Sequence, residues 1–303
     1  MDGVSFPLKW IKAVSWVVFP FALCGEKVRV ASFNLQNYLI MDRVVEGKWM
    51  RDYPKPEKEK RALRAILKKV DADVVAFQEI GPRPFLNELW MDLNVTKGPV
   101  YPHAIWMPAG EAEEVRHLAL FSKIPISSIR MHHDIQFSYF GERKTPDRGV
   151  LEVTFDSSGT KWKLFNLHLK SKWTERKDDP EAKIRREREA RAIRDYLRKL
   201  NPPGDNPHYL VVGDFNDQRN SAPLRRFLQV NDTVLTSMVP CKDSRGHRWT
   251  QHWAKADSYS RFDYILATPP MLKKLVIDSA KIVDGPDSAL ASDHRMIFAD
   301  FQF

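Results

Sequence analysis

The segment Tyr209–Asp217, YLVVGDFND, limits the possible folds of this chain more than any other stretch. Tyr209 to Val212 is an apolar run of the kind that fills a buried strand, and Gly213 is expected to end it. Asp214, Asn216 and Asp217 then crowd the point where the chain leaves its sheet. A surface turn uses Asp and Asn for local backbone bonding alone, so the segment carries little weight in isolation. Its weight comes from recurrence. Val28–Phe33 runs into Asn34, Val74–Phe77 into Gln78 and Glu79, and Trp162–Leu167 into His168. Asp263 stands near the start of Phe262–Ala267, and Ser292-Asp293-His294-Arg295 precedes Met296–Phe301. Rigid scaffolds present functional groups at such strand ends.

Between these runs, Glu57–Val70 places Leu63, Ile66, Leu67 and Val70 at helical spacing, which predicts an amphipathic helix. Phe85–Leu93 reads as a short helix, and Val150–Phe155 with Trp162–Leu167 as a hairpin turning at Ser157-Ser158-Gly159. Tyr38–Pro56, with Trp49, Tyr53 and a Pro-Lys-Pro end, reads as an irregular surface excursion. Glu181–Leu200 predicts a charged helix with an apolar stripe through Ala190, Ile193, Leu197 and Leu200. Glu187, Glu189 and Asp195 are interspersed with its arginines, which favours a solvated face over a nucleic-acid surface. Strands and helices alternate early and hairpin-like pairs follow, so packed sheets covered by helices are expected, a layered α/β sandwich.

Residues 1–25 differ from the rest. Lys9 and Lys12 precede the apolar run Ala13–Leu23, followed by Cys24 and Gly25. This reads as an export signal, too short to span a bilayer comfortably, ahead of a single domain over 26–303 in a periplasmic or extracellular protein. Cys24 is a poor lipid-attachment site, because Phe21-Ala22-Leu23 matches the bacterial lipobox badly. Two cysteines, Cys24 and Cys241, support neither a disulfide framework nor a cysteine-rich zinc site. The net charge of +9 favours anionic partners without selecting among them.

The polar strand ends include no Ser or Cys nucleophile in a local motif. GxGxxG, P-loop and HExxH patterns are also missing. What remains is a set of oxygen ligands and two histidines. Magnesium is bound by one or two carboxylates together with substrate phosphate, and Glu79 with the Asn34 side-chain oxygen would suffice. Water attack on a phosphate ester also needs a base and donors for the phosphoryl oxygens. Asp263 near His294 would fix the imidazole tautomer, leaving Asp214, Asn216 and His168 to position water and hold those oxygens.

In order, NLQNY at 34–38, AFQEI at 76–80, NLHLKSK at 166–172, GDFN at 213–216, FDYIL at 262–266 and SDHR at 292–295 resemble the endonuclease/exonuclease/phosphatase superfamily. The resemblance spans residues 28 to 303 and implies a four-layer α/β sandwich, with two central, mostly antiparallel β-sheets flanked by helices. It implies that Asn34 and Glu79 bind Mg²⁺, with Mn²⁺ as a substitute, and that Asp293 serves the metal or its water shell. His168 and Asn216 then contact the phosphoryl group, while Asp214 and the Asp263–His294 pair activate water. Arg148 and Lys170 are candidate phosphate contacts. The HLKSK stretch and the export signal resemble secreted bacterial nucleases, so the implied activity is hydrolysis of phosphodiester bonds in DNA or RNA by a monomer. The same core also serves sphingomyelinase-like and phosphomonoesterase members, and a non-catalytic binding scaffold is the remaining alternative. A lipid enzyme would expose an aromatic hairpin, for which Phe137–Phe140 is the candidate, and tight packing there would count against it. Trp173 and Trp249 are candidate base-stacking platforms. His132, His133, His247 and His252 match no motif and are expected at the surface or in packing.

Overall fold

A computed structural model describes residues 25–95 and 100–303; the expected export signal, apart from Gly25, lies outside the described residues. Two six-stranded sheets form the centre. Their strands are β1 (Lys27–Tyr38), β2 (Val74–Ile80), β3 (His103–Met107), β4 (His117–Ser122), β5 (Ile126–His132), β6 (Val150–Ser157), β7 (Thr160–His168), β8 (Tyr209–Asp214), β9 (Ser237–Met238), β10 (Asp263–Ala267), β11 (Lys281–Ile282) and β12 (Ile297–Gln302). The first sheet runs β11–β12–β1–β2–β4–β3 and the second β9–β10–β8–β7–β6–β5. Each sheet contains one parallel pair, β1 with β2 and β7 with β8, and is otherwise antiparallel. Parallel neighbours need a crossover, and α1 (Glu57–Val70) and α3 (Lys183–Leu200) supply the two.

This topology positions the chemistry. Parallel strands end at the same edge, so Asn34 and Glu79 leave one sheet where His168 and Asp214 leave the other. Strands β10 and β12 run antiparallel to their neighbours and start from that same rim. Asp263 is thereby paired with Asp214, and His294 lies just ahead of β12.

Both faces of the central strands are covered, which explains continuous apolar runs such as YLVV. Val30, Ala76, Leu164, Val212 and Ile265 pack between the sheets. Outside the first sheet, Leu63 and Leu67 of α1 and Leu89 of α2 (Arg83–Val95) cover Phe33, Val75 and Phe77. Outside the second, Ile193 and Leu197 of α3 and Leu224 of α4 (Ala222–Leu228) cover Phe165, Val211 and Tyr264. Helix, sheet, sheet and helix give the four layers.

Three local expectations need correction. Gly213 does not end its strand, which continues to Asp214. Glycine is required there because a Cβ at φ +135° would lie 1.9 Å from the Leu167 carbonyl oxygen on the neighbouring strand. The stretch after Tyr38 is a hairpin, Met41–Val45 with Lys48–Tyr53, turning at Glu46-Gly47, both with positive φ. Much of it is exposed on both faces, so no apolar alternation announced it. Helix α3 begins at Lys183 rather than Glu181, because Glu181 and Ala182 take left-handed conformations and the Asp179 carboxylate accepts the N–H groups of Ile184 and Arg185.

Candidate active site

The inner faces of the central strands are apolar in the interior and become polar or ionisable at the rim. β1 reads Val30, Ser32, Asn34; β7 reads Leu164, Asn166, His168; β8 reads Leu210, Val212, Asp214. On β2 strict alternation would send Glu79 under the helices beside Phe77. A bulge there, with Glu79 at φ +61°, re-aims it to the rim.

At the rim, Asn34 Nδ2 donates to Asp214 Oδ2 at 3.0 Å and to Glu79 Oε1 at 3.2 Å. Asn34 Oδ1 is occupied by the Gln36 N–H at 2.9 Å, and Asn37 N–H donates to Glu79 Oε2 at 2.9 Å. His168 Nε2 lies 3.4 Å from Asp214 Oδ2 and 3.9 Å from Glu79 Oε1. His294 Nδ1 bonds Asp263 Oδ2 at 2.8 Å, and its Nε2 stands 3.8 Å from Asp214 Oδ2. The Asn216 N–H donates to Asp214 Oδ1 at 2.8 Å. Thr250 Oγ1 accepts the Asp263 N–H, and Ser292 Oγ accepts the His294 N–H while donating to the Asn34 carbonyl.

Burial and charge set the protonation states. Burial pushes Asp214 up to about 7, against the pull of His294 and with a further push from Asp263. Burial alone would lower His294, but the Asp263 and Asp214 carboxylates raise it well above the usual histidine value. His168 is held well below that value by burial and by the nearby Arg148 and His294, so it is neutral. Burial also raises Asp293, with Glu79 adding to the effect. Carboxylates crowded this closely, with buried acids destabilised in their charged form, suit a cation. The donor atoms of Glu79, His168 and Asp214 lie within 4.8 Å of one another, as do those of Asp214, Asp263 and His294. Glu79 and Asp214, with Asp293 lining the same cleft, offer hard oxygen donors of the kind a divalent cation takes.

Asn34 and Asp263 form the buried floor. His168, Asp214, Asn216, Glu79, Asp293 and His294 line the cleft above, about 820 Å³. Arg148 and Lys170 line the same cleft. Arg148 is buried and bonded to Glu114, with Nε and Nη1 unpartnered. Lys170 Nζ is partly occupied by the Trp173 carbonyl at 2.8 Å. The other histidines do not line this cleft. His132 is buried between Glu152 and Tyr196, His247 is next to Asp243, and His252 stacks on Tyr259. Trp249 lies beneath the Arg295 guanidinium, whereas Trp173 is 69% exposed at the cleft.

Sequence reasoning missed the layer beneath the site. Gln78 Nε2 donates to Asn166 Oδ1 at 2.7 Å, and Asn166 Nδ2 donates to the Phe77 and Ala119 carbonyls, joining the two sheets. The available signal was position: Asn166 lies two residues before His168 on the same strand face.

Residues 31–294 match the Endonuclease/Exonuclease/phosphatase family. The chain belongs to that family, whose members are hydrolases of phosphoester bonds dependent on a divalent metal. Solved structures of the same fold include the human Nocturnin catalytic domain with bound sulfate (18% identity, 91% of this chain and 94% of that chain covered, TM-score 0.64). A family protein from Leptotrichia buccalis is 15% identical, covering 91% of this chain and 100% of its own at TM-score 0.63. Sphingomyelinase C from Streptomyces griseocarneus is 16% identical, with 91% and 100% covered at TM-score 0.59. No curated protein matches the sequence.

Proposed function

We propose that the protein is an exported, Mg²⁺-dependent phosphodiesterase that cleaves nucleic acid by in-line attack of water. The observation that carries this reading is the chain Asp263–His294–Asp214 running beside Glu79 and His168 at one rim. Asp263 holds the proton on His294 Nδ1 and leaves Nε2 to face the cleft. The 3.8 Å gap between Nε2 and Asp214 Oδ2 is too long for a direct hydrogen bond but admits a water touching both. That water loses its proton to the His294–Asp214 pair as it attacks phosphorus, while the P–O bond opposite it breaks and the leaving sugar oxygen takes a proton from solvent water. Neutral His168, the Asn216 amide and Arg148 face the phosphoryl oxygens, where developing charge needs donors. A divalent cation held by Glu79 with Asp293 and Asp214 would offset the carboxylate charge and polarise a phosphoryl oxygen.

Two features favour nucleic acid over lipid. Phe137–Tyr139 does form a hairpin with Glu142–Lys144, but Phe137 and Tyr139 are buried. The half-exposed Phe140 lies under the Arg176 guanidinium at 4.2 Å, so this hairpin offers no free aromatic set to a bilayer. Trp173, in contrast, offers an open indole face beside Lys170 at the cleft, which suits stacking on a base.

The test incubates the chain from Lys27 and its His294→Ala variant with supercoiled DNA, RNA, sphingomyelin and an aryl phosphodiester, with Mg²⁺ or EDTA. Metal-dependent nicking or RNA degradation, reduced about 10²–10⁴-fold in the variant, is expected. Cleavage of lipid with nucleic acid untouched would overturn the substrate. Turnover unaffected by EDTA would overturn the metal.

A further inference from the structure

The backbone turns within β1 just after Asn34, where the pairing register breaks, with Gln36 at φ +47° and Asn37 at φ +56°, and Glu79 beside it at φ +61°. Successive non-glycine residues in the left-handed region are strained and persist only when their surroundings hold them. Here the surroundings are cations. Arg43 Nη2 donates to the Asn37 carbonyl at 3.1 Å and the Leu39 carbonyl at 2.8 Å, and its Nε donates to the Tyr53 carbonyl at 3.1 Å. Lys55, 1% exposed, donates to the Gln36 carbonyl at 3.3 Å while paired with Glu59 at 3.0 Å. Arg116 Nε donates to Asn37 Oδ1 at 2.7 Å.

Held this way, the turn touches Asn34 in the floor of the site and two of the proposed metal positions, Glu79 and Asp293. Its Gln36 N–H fixes the Asn34 amide, its Asn37 N–H fixes Glu79 Oε2, and its Gln36 side chain accepts the Asp293 N–H at 2.9 Å. The Met41–Tyr53 hairpin therefore has a purpose that its exposed surface hides, because it delivers Arg43 underneath the turn. We propose that Arg43 and Lys55 are positioning residues for the divalent-metal site, acting through the Gln36–Asn37 turn without touching metal or substrate. This rests on the metal-hydrolase reading above.

The test measures Mn²⁺ binding by calorimetry or paramagnetic resonance in wild type, Arg43→Lys, Arg43→Met and Lys55→Met, alongside the Mn²⁺ dependence of turnover. Loss of outer-shell support weakens metal binding by about 10–100-fold. Arg43→Met and Lys55→Met are expected in that range, with Arg43→Lys between them and wild type. kcat should return towards wild type at saturating Mn²⁺. Thermal melting separates this from misfolding, and Arg43→Lys, which keeps the charge and most of the packing, remains informative if a methionine variant fails to fold. Unchanged Mn²⁺ affinity in folded variants would overturn the positioning role alone. A wild-type protein that binds no Mn²⁺ would overturn the metal reading and this proposal with it.

Discussion

Replacing Asn166 with leucine tests whether the buried amide layer is what holds the two halves of the site in register. Leucine has similar bulk but removes one acceptor, used by Gln78 at 2.7 Å, and two donor contacts, to the Phe77 and Ala119 carbonyls at 3.0 and 3.1 Å. Gln78 Nε2 retains a 3.2 Å bond to Ser32, so its loss is partial, while the two carbonyls lose a donor deep between the sheets. At about 1–3 kcal/mol for each buried group left short of a partner, the two carbonyls and the partial loss at Gln78 sum to ~2–7 kcal/mol. That is a large share of the roughly 5–15 kcal/mol that stabilises a typical domain. Urea unfolding should show it as a lower midpoint with an unchanged slope. Gln78→Leu together with Asn166→Leu should cost less than the two singles combined, by ~1–2 kcal/mol, since each single strands the other's amide. A loss below about 1 kcal/mol in Asn166→Leu, or strict additivity in the pair, would refute the idea that this layer ties the sheets together.

Further consequences follow from single groups. Asp263→Asn removes the charge that helps raise His294, so the acidic limb of the rate profile should move to lower pH while maximal turnover falls about 10²–10⁴-fold; a limb that stays in place would exclude His294 as the titrating base. Trp173→Ala should weaken single-stranded nucleic acid by ~1–3 kcal/mol and leave a ring-free dialkyl phosphodiester unaffected, which competition binding and kinetics would distinguish. Glu189 is buried beneath the Lys170 N–H, and burial raises its carboxyl to about 7. Its folded-state pKa therefore lies above the unfolded value, and the associated stability is lost as pH rises from ~4.5 through 7. Glu189→Gln, which keeps the acceptor, should match wild type near pH 4 and melt higher at pH 8, by up to ~3 kcal/mol; equal melting curves at pH 8 would contradict a buried, raised carboxyl.

Much of this arrangement was legible in the chain because the site is written at strand ends. An apolar run bounded by one polar residue needs no partner to be recognised: His168 and Asp214 close their strands, Asn34 ends the apolar run of β1, and Asp263 opens β10. The pairing of strands was harder. Nothing local in VVAFQEI indicates a bulge, yet the bulge is what turns Glu79 to the rim rather than under α1. The hairpin at 41–53 was illegible for a related reason: it is anchored by Arg43 reaching main-chain carbonyls, and a guanidinium bonded to backbone leaves no periodic trace. Asn166 and Gln78 read as ordinary polar strand residues until the second sheet is placed opposite the first.

Neither sheet carries a complete site. The first brings Asn34 and Glu79, with Asp293 and His294 ahead of its strand β12; the second brings His168, Asp214 and Asp263. The contacts that assemble them cross the interface, Asn34 to Asp214 and His294 to Asp263, directly above the Gln78–Asn166 pair. A state in which one βαβ half has formed and the other has not would hold at most a fragment of the constellation. Burial, which lifts Asp214 and lowers His168, would also be missing, because each lies between the sheets and takes its low-polarity surroundings from both. Protonation and geometry are thus set by one event, the docking of two apolar faces whose edges carry the ionisable groups. It follows that activity should disappear together with the inter-sheet packing during denaturation, rather than before it as in sites carried on a mobile loop.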